Sequence, residues 1–332
     1  GHTPESISFI LTDKGGGADK PMGIFTGDFV FVGSIGRPDL LEEAAGIMGT
    51  AEPGARDLFK SIQRFNELPD HLQVWPAHGA GSACGKGLGS IPSSTVGYEK
   101  LFNPALQYTD EQDFVDYILS EQPEAPKYFA VMKRVNKEGP EILGEPKLPT
   151  KISTEVLRDT VANEMVVDTA VAKKFASSHA EGTINIQPKY LAMWGGSLLD
   201  YDKPVFLISG ASELPEAVRI LHKIGMDNIG GYFCSSEVTD GGFMNESIPQ
   251  ISPTELAGKL TNGEVELVDI RGLAERQEVM IPGSQHLFLG KMLQTVEQLD
   301  PEKSYAFQCR TGGRSVIAAS ISQRAGFKKV MN

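Results

Sequence analysis

The feature that most constrains the fold is an internal repeat of about one hundred residues in the second half of the chain. ISTEVLRDTVANEMVVDTA at 152–170 matches ISPTELAGKLTNGEVELVDIR at 251–271, each reading as a capped helix and then a buried strand ending in Asp168 or Asp269. HAEGTINI at 179–186 matches IPGSQHLFL at 281–289. KPVFLISGASELPEAVRILHKIGMDNI matches KSYAFQCRTGGRSVIAASISQRAGFKKV, where a strand feeds a loop and the loop feeds a helix that ends at Gly225 or Gly326. Strand, helix, strand, loop, helix is the order a parallel α/β sheet needs. The repeat therefore predicts two sister α/β domains, 148–234 and 251–332. With 332 residues in all, a separate domain fits in front of them.

That front stretch, 1–147 with its connector, alternates strand-like runs (SISFIL, GIFTGDFVFVG) with turns. HGAGSACGKGLGS holds too many glycines for helix or strand and reads as a loop. EQDFVDYIL, Glu111 to Leu119, reads as a short amphipathic helix, and PEAPKYFAVMKRVNKEGP as a connector laid over a surface. The formal charge of -12 repels nucleic acid and anionic membrane alike. No apolar run reaches the ~18 residues of a membrane helix, and GHTPESISFIL does not read as a signal peptide. Three widely spaced cysteines give no disulfide framework and point to a reducing, cytoplasmic setting. Both ends read as cut, with the last domain expected to lack its final strand and helix.

Cys309 follows the strand YAFQ and precedes R-T-G-G-R-S, which opens the helix SVIAASISQRAG. Glycines let backbone N–H groups turn toward the sulfur, and the helix N-terminus adds a positive dipole end. With Arg310 and Arg314 beside it, Cys309 has the surroundings of a thiolate nucleophile, and the same cradle suits a persulfide anion. The alternative is a small buried apolar residue at a strand end. Two arginines and two glycines within five residues argue against it. In the front stretch, GHTPES, FTGD and WPAHGAG each place one candidate metal ligand, His2, Asp28 or His78, beside a strand-like run. Each has a plain alternative as a terminal, turn or loop residue.

C-R-T-G-G-R-S, with V-D-I-R at 268–271 and I-P-G-S-Q-H at 281–286, resembles the rhodanese family of sulfurtransferases. A cysteine phosphatase would space its cysteine and arginine C-x5-R; here the spacing is C-x4-R. Asp269 and Arg271 read as an ion pair beside the loop. In the sister domain Ser209 stands where Cys309 stands, followed by Glu213 and Glu216 rather than arginines. It reads as a silent rhodanese, and Cys234 as an incidental residue of the inter-domain connector.

G-H-T-P, T-G-D and P-A-H-G occur in the order found in the metallo-β-lactamase superfamily. FTGDFVFVGSIGRPDL, AHGAGSACGKGLGSIPSSTVGYEKLFNPAL and KYFAVMKRVNKEGP resemble persulfide dioxygenases fused to tandem rhodaneses. The resemblance implies an α/β chain: a partial metallo-β-lactamase αββα sandwich followed by two rhodanese-like parallel-sheet domains. It implies one Fe(II) held by two histidines and an aspartate, with His2 and Asp28 as two of the three ligands. His78 would line the pocket or serve a second metal. The superfamily's H-x-H-x-D-H is not found, so the third ligand is expected upstream. Ser34 departs from the subfamily's G-D-I-G-R. Arg37 matches an arginine near the thiol-persulfide substrate, against the alternative of a turn pair with Asp39, and Cys84 is either a sulfur relay near the metal or inert. The implied reaction oxidises a thiol persulfide, such as glutathione persulfide, to sulfite, with Cys309 joining sulfane sulfur to sulfite as thiosulfate. The rivals are a zinc thioesterase of the glyoxalase II kind fused to a rhodanese, and a non-catalytic sulfur-binding scaffold. A homo-oligomer is compatible with any of these.

Overall fold

The computed structural model describes residues 2–43, 46–80, 82, 84–120, 122, 124–142, 144 and 147–332. Two residues of the glycine-rich loop, 81 and 83, lie outside them. The chain divides into two compact units, Gly1–Ala125 and Pro126–Asn332.

In the first unit, β1 (Phe9–Leu11), β2 (Gly23–Gly27), β5 (Gln73–Pro76) and β6 (Ser94–Thr95) form one sheet in the order β1-β2-β5-β6. β2 and β5 are parallel, with Ile24 opposite Val74. The edge strands β1 and β6 run antiparallel to their neighbours. Two helices cover one face. Helix Ala51–Asn66 buries Ala51, Ala55, Leu58, Ile62 and Phe65, a spacing that keeps one stripe turned to the sheet. Helix Glu111–Leu119 adds Phe114, Val115 and Ile118, and Asp110 caps it by accepting from the backbone N–H groups of Gln112 and Asp113. The run GIFTGDFVFVG is not one strand. Gly27 takes a φ of +57°, a conformation that favours glycine, and the chain turns there before the small hairpin of β3 (Val30–Phe31) and β4 (Ser34–Ile35). That turn carries Asp28.

The second unit contains two all-parallel sheets of the same design. One is ordered β9 (Ile184–Asn185), β7 (Met165–Asp168), β10 (Val205–Ser209), β11 (Ile229–Cys234). The other is β14 (Gln285–His286), β13 (Glu266–Asp269), β15 (Tyr305–Gln308), β16 (Val330–Met331). Asp168 pairs with Ile208 in the first, and Asp269 with Gln308 in the second, so the next residues, Ser209 and Cys309, occupy equivalent places.

The segment expected to be a connector laid over a surface lies on the second unit: helix Tyr128–Glu138 buries none of its residues, packs Tyr128 against Gly196 and brings Val131 and Val135 to Gly225. Two other expectations need correction. The sister half does not end at residue 234, because β12 (Met244–Glu246) returns to pair with β8 (His179–Ala180). Cys234 is no connector residue; it ends β11 in register with Ser209. The two halves also share one apolar core, joining Val167, Phe175 and Leu207 to Val268, Phe307 and Ile317. Helix Gly313–Arg324 is accordingly buried almost all round, from Val316 to Ser322. Its Ser320 hydroxyl accepts from the backbone N–H of Asn185, in β9, at 3.1 Å. Among the described residues, no helix is long and apolar enough to cross a membrane.

Candidate functional site

Cys309 is the first residue after β15, and Gly313 begins the following helix. The turn between them depends on Gly312, whose φ of +83° is strained for any residue with a Cβ. In that conformation the Gly312 N–H donates to Cys309 Sγ at 3.2 Å. The Ser315 hydroxyl lies 3.3 Å from the same sulfur. Burial by itself would push the thiol up. The hydrogen bonds from the Ser315 side chain and from backbone groups of Thr311, Ser315 and Arg314 outweigh it, and the thiol sits below its ordinary value.

Of the two arginines, Arg314 reaches the Cys309 thiol but shares its charge with a carboxylate. Arg314 spends its fork on Glu275, with Nη1 and Nη2 donating to the two carboxylate oxygens at 2.6 and 2.7 Å. Its contact with the Cys309 thiol is a smaller influence on it. Arg310 is exposed and makes no ion pair among the described residues. The sulfur is held mainly by backbone N–H groups and Ser315. Ser315 stands inside the recognised motif, where its hydroxyl is the sulfur's side-chain partner, and Glu275, 39 residues from Arg314, leaves no local sequence signal.

Asp269 is fully buried and pairs with Arg271 (Nη2 to Oδ2 2.8 Å) and Arg276 (3.4 Å). Those arginines also donate to the carbonyls of Val279 and Ser284, tying down the segment beside the loop. Asp168 makes no ion pair among the described residues, with the Lys174 charge acting on it only as a minor influence. Burial raises its carboxyl to about 6, against one N–H donated by Ala170. Ser209 is buried and receives a hydrogen bond from the Thr169 hydroxyl at 3.0 Å. Glu213 crowds the Gly210 turn next to it.

In the first unit the structure brings His2, Asp28, His78 and Cys84 together. Asp28 Oδ1 lies 3.1 Å from His78 Nε2. That bond, followed by a second that His78 donates to the Cys84 sulfur, raises His78 to about 10, and the His78 bond holds Asp28 below the usual carboxylate range. His2 approaches Gly36 so closely that a Cβ there would fall 2.7 Å from its Nδ1. Burial lowers the His2 pKa, although Asp28 nearby raises it. His2 Nδ1 is buried without a hydrogen-bond partner. An orphaned imidazole nitrogen near a carboxylate is a donor pair that fits a divalent metal. No group of three His, Cys, Asp or Glu arranged to hold a metal occurs among the described residues. Arg37 is only 2% exposed and closes on Asp39, Nε to Oδ1 at 2.9 Å, which is the turn-pair alternative. Nothing in the structure explains Ser34.

Residues 252–332 match the rhodanese-like domain family. The putative sulfurtransferase YtwF of Bacillus subtilis is 37% identical over 84 residues, 25% of this chain and 82% of that protein. The chain belongs to the rhodanese family through its C-terminal domain. The crystal structure of a metallo-beta-lactamase from Staphylococcus aureus subsp. aureus COL is similar at 42% identity and a TM-score of 0.61, covering 70% of this chain and 64% of that one. The probable polyketide biosynthesis zinc-dependent hydrolase BaeB of Bacillus velezensis is 30% identical over 100 residues, 30% of this chain and 36% of that protein. This chain thus spans less than two thirds of either of these last two. The expected fold class holds: α/β, with a metallo-β-lactamase part in front and a rhodanese domain with a parallel sheet behind.

Proposed function

We propose that this chain carries sulfane sulfur on Cys309 and that its front unit contributes His2 and Asp28 to an Fe(II) centre that oxidises a low-molecular-weight thiol persulfide, such as glutathione persulfide. The carrying observation is the lowered Cys309 thiol in a cradle of N–H groups and Ser315. The thiolate attacks the outer sulfur of thiosulfate, the S–S bond breaks, and sulfite leaves with its electron pair, giving Cys–S–S⁻. In the reverse direction sulfite takes the terminal sulfur and Cys309 leaves as thiolate. Charge and atoms balance both ways. The loop favours both anions because its donors are fixed before the reaction and need no rearrangement. Ser209, without a thiol and beside Glu213, can do neither step, so the sister half is read as catalytically silent.

The net oxidation consumes one persulfide, one O2 and one water and yields thiol, sulfite and two protons. His2 and Asp28 would hold the iron, which when bound would supply coordination sites for O2 and the sulfur substrate. His78 sits against Asp28 and fixes the carboxylate's orientation. The sulfite made there is the acceptor Cys309 needs, and this complementarity supports placing both activities in one protein. A reducing, cytoplasmic location goes with three free cysteines.

A second reading, a zinc-dependent thioesterase front unit, is favoured by the likeness to a zinc-dependent hydrolase. Metal analysis together with persulfide-dependent O2 uptake separates the two: iron and O2 consumption support the oxidation, while zinc with thioester hydrolysis replaces it. For the rhodanese domain, the test is mass spectrometry after brief exposure to thiosulfate. A 32-dalton-class adduct, roughly one sulfur per chain, is expected on Cys309. Sulfur on another cysteine, with Cys309 unmodified, would refute the assignment and favour a scaffold.

A further inference from the structure

The sister half has lost its nucleophile, but it reaches the Cys309 loop with another residue. Tyr190, at the end of the short helix Pro188–Tyr190 after β9, lies against the first residue of the helix that follows Cys309. A Cβ built on Gly313 would fall 2.7 Å from Tyr190 Cε2 and 2.9 Å from its hydroxyl oxygen. Gly313 has no left-handed φ to require glycine; the close approach of Tyr190 is what excludes a side chain there. The Tyr190 hydroxyl makes no hydrogen bond among the described residues. A half-buried phenol ordinarily finds a partner. Lys189 holds its Nζ 4.8 Å from the centroid of the Tyr190 ring, and it is exposed and has no carboxylate partner among the described residues.

The electrostatics of the loop give this pair a task. The N–H groups and Ser315 are already committed to the Cys309 sulfur. Arg314 is neutralised by both oxygens of Glu275. A second anion approaching a thiolate or persulfide anion is repelled unless uncommitted positive charge and donors accompany it. On the cysteine's own loop, Arg310 is one such cation. In the sister half, Lys189 against the Tyr190 ring is a second uncommitted cation, and Tyr190, against Gly313, carries a hydroxyl with no partner among the described residues.

We infer that Lys189 and Tyr190 form a second wall of the Cys309 site and position the small anionic sulfur species that exchanges sulfur with it. The inference rests on the reading of Cys309 as the sulfur carrier. It assigns the silent half a substrate-positioning role, and it selects compact oxyanions such as thiosulfate and sulfite over uncharged sulfur compounds.

The test uses the whole chain with thiosulfate as donor, comparing wild type with K189M, K189R and Y190F. K189M and Y190F should each raise the KM for thiosulfate by about tenfold, the size expected for one charged or charge-assisted contact. K189R should stay near wild type. The rate at which neutral iodoacetamide alkylates Cys309 should change much less than the thiosulfate KM in every variant, because the hydrogen bonds from Gly312 and Ser315 to the sulfur are untouched. A thiosulfate KM within about twofold of wild type in both K189M and Y190F would overturn the inference, as would alkylation slowed as much as sulfur transfer, which would signal a merely structural role. A wild-type protein that takes no sulfur onto Cys309 would instead refute the carrier reading, and this inference with it.

Discussion

Replacing Ser315 by alanine tests whether hydrogen bonds, rather than arginine charge, set the reactivity of Cys309. Ser315 Oγ lies 3.3 Å from the sulfur, and its side chain is the first of the groups that oppose burial in setting the thiol's acidity. A hydrogen bond to a charged group contributes ~1.5–3 kcal/mol, and a long contact to a diffuse sulfur belongs below that range, at about 1 kcal/mol. Below the thiol pKa, that loss cuts the thiolate fraction roughly fivefold. The remaining donors, Gly312 N–H among them, stay in place, so the effect is partial. The sign follows from the thiol being lowered in the folded protein: deprotonation occurs at lower pH than for a free cysteine, and S315A moves it upward. The assay is iodoacetamide alkylation of Cys309, followed by mass spectrometry across pH, with Cys84 and Cys234 changed to serine. At mildly acidic pH the S315A rate should fall about fivefold, and at alkaline pH the two proteins should converge. An unchanged profile, or one displaced to lower pH, would show that the cradle does not control the thiolate.

Three further outcomes follow from the same geometry. E275Q should release Arg314 toward the sulfur and speed Cys309 alkylation by a few fold, whereas slower alkylation would mean that the Arg314–Glu275 pair holds the loop in shape. S209A should leave sulfurtransferase turnover unaltered, and a loss beyond about tenfold with the fold intact would give the sister half a chemical role. Asp168, raised to about 6 by burial, binds its proton more tightly folded than unfolded. The contribution of Asp168 to stability should therefore fall as pH rises from about 4 to 6, and D168N should remove up to roughly 3 kcal/mol of that loss, readable as a higher urea midpoint than wild type at pH 7.5 but not at pH 4.

What could be read from the sequence is what short-range physics controls. The repeat, the strand–loop–helix around Cys309 and the helix over Glu111–Leu119 depend on side-chain periodicity, glycine freedom and caps, all of which act within a few residues. The equivalence of Ser209 and Cys309 follows from the same local pattern, and the sheet registers carry it. Single strings were less reliable where a turn interrupts an apolar run: GIFTGDFVFVG breaks at Gly27 because a hairpin has to start there.

Tertiary structure decided which groups face each other. Arg314 stands five residues from Cys309 in sequence, yet its charge goes to Glu275, because the helix Leu273–Glu278 presents a carboxylate whose two oxygens match the guanidinium fork. Tyr190 reaches Gly313 only because the two halves bury the helix between them into one core. His2, Asp28 and His78 gather at one place only once β2, β5 and the turns after them are laid side by side. Periodicity and capping record a residue's own backbone. The choice of a charged or aromatic partner tens of residues away is made by packing, where burial and hydrogen-bond geometry settle which pairs form.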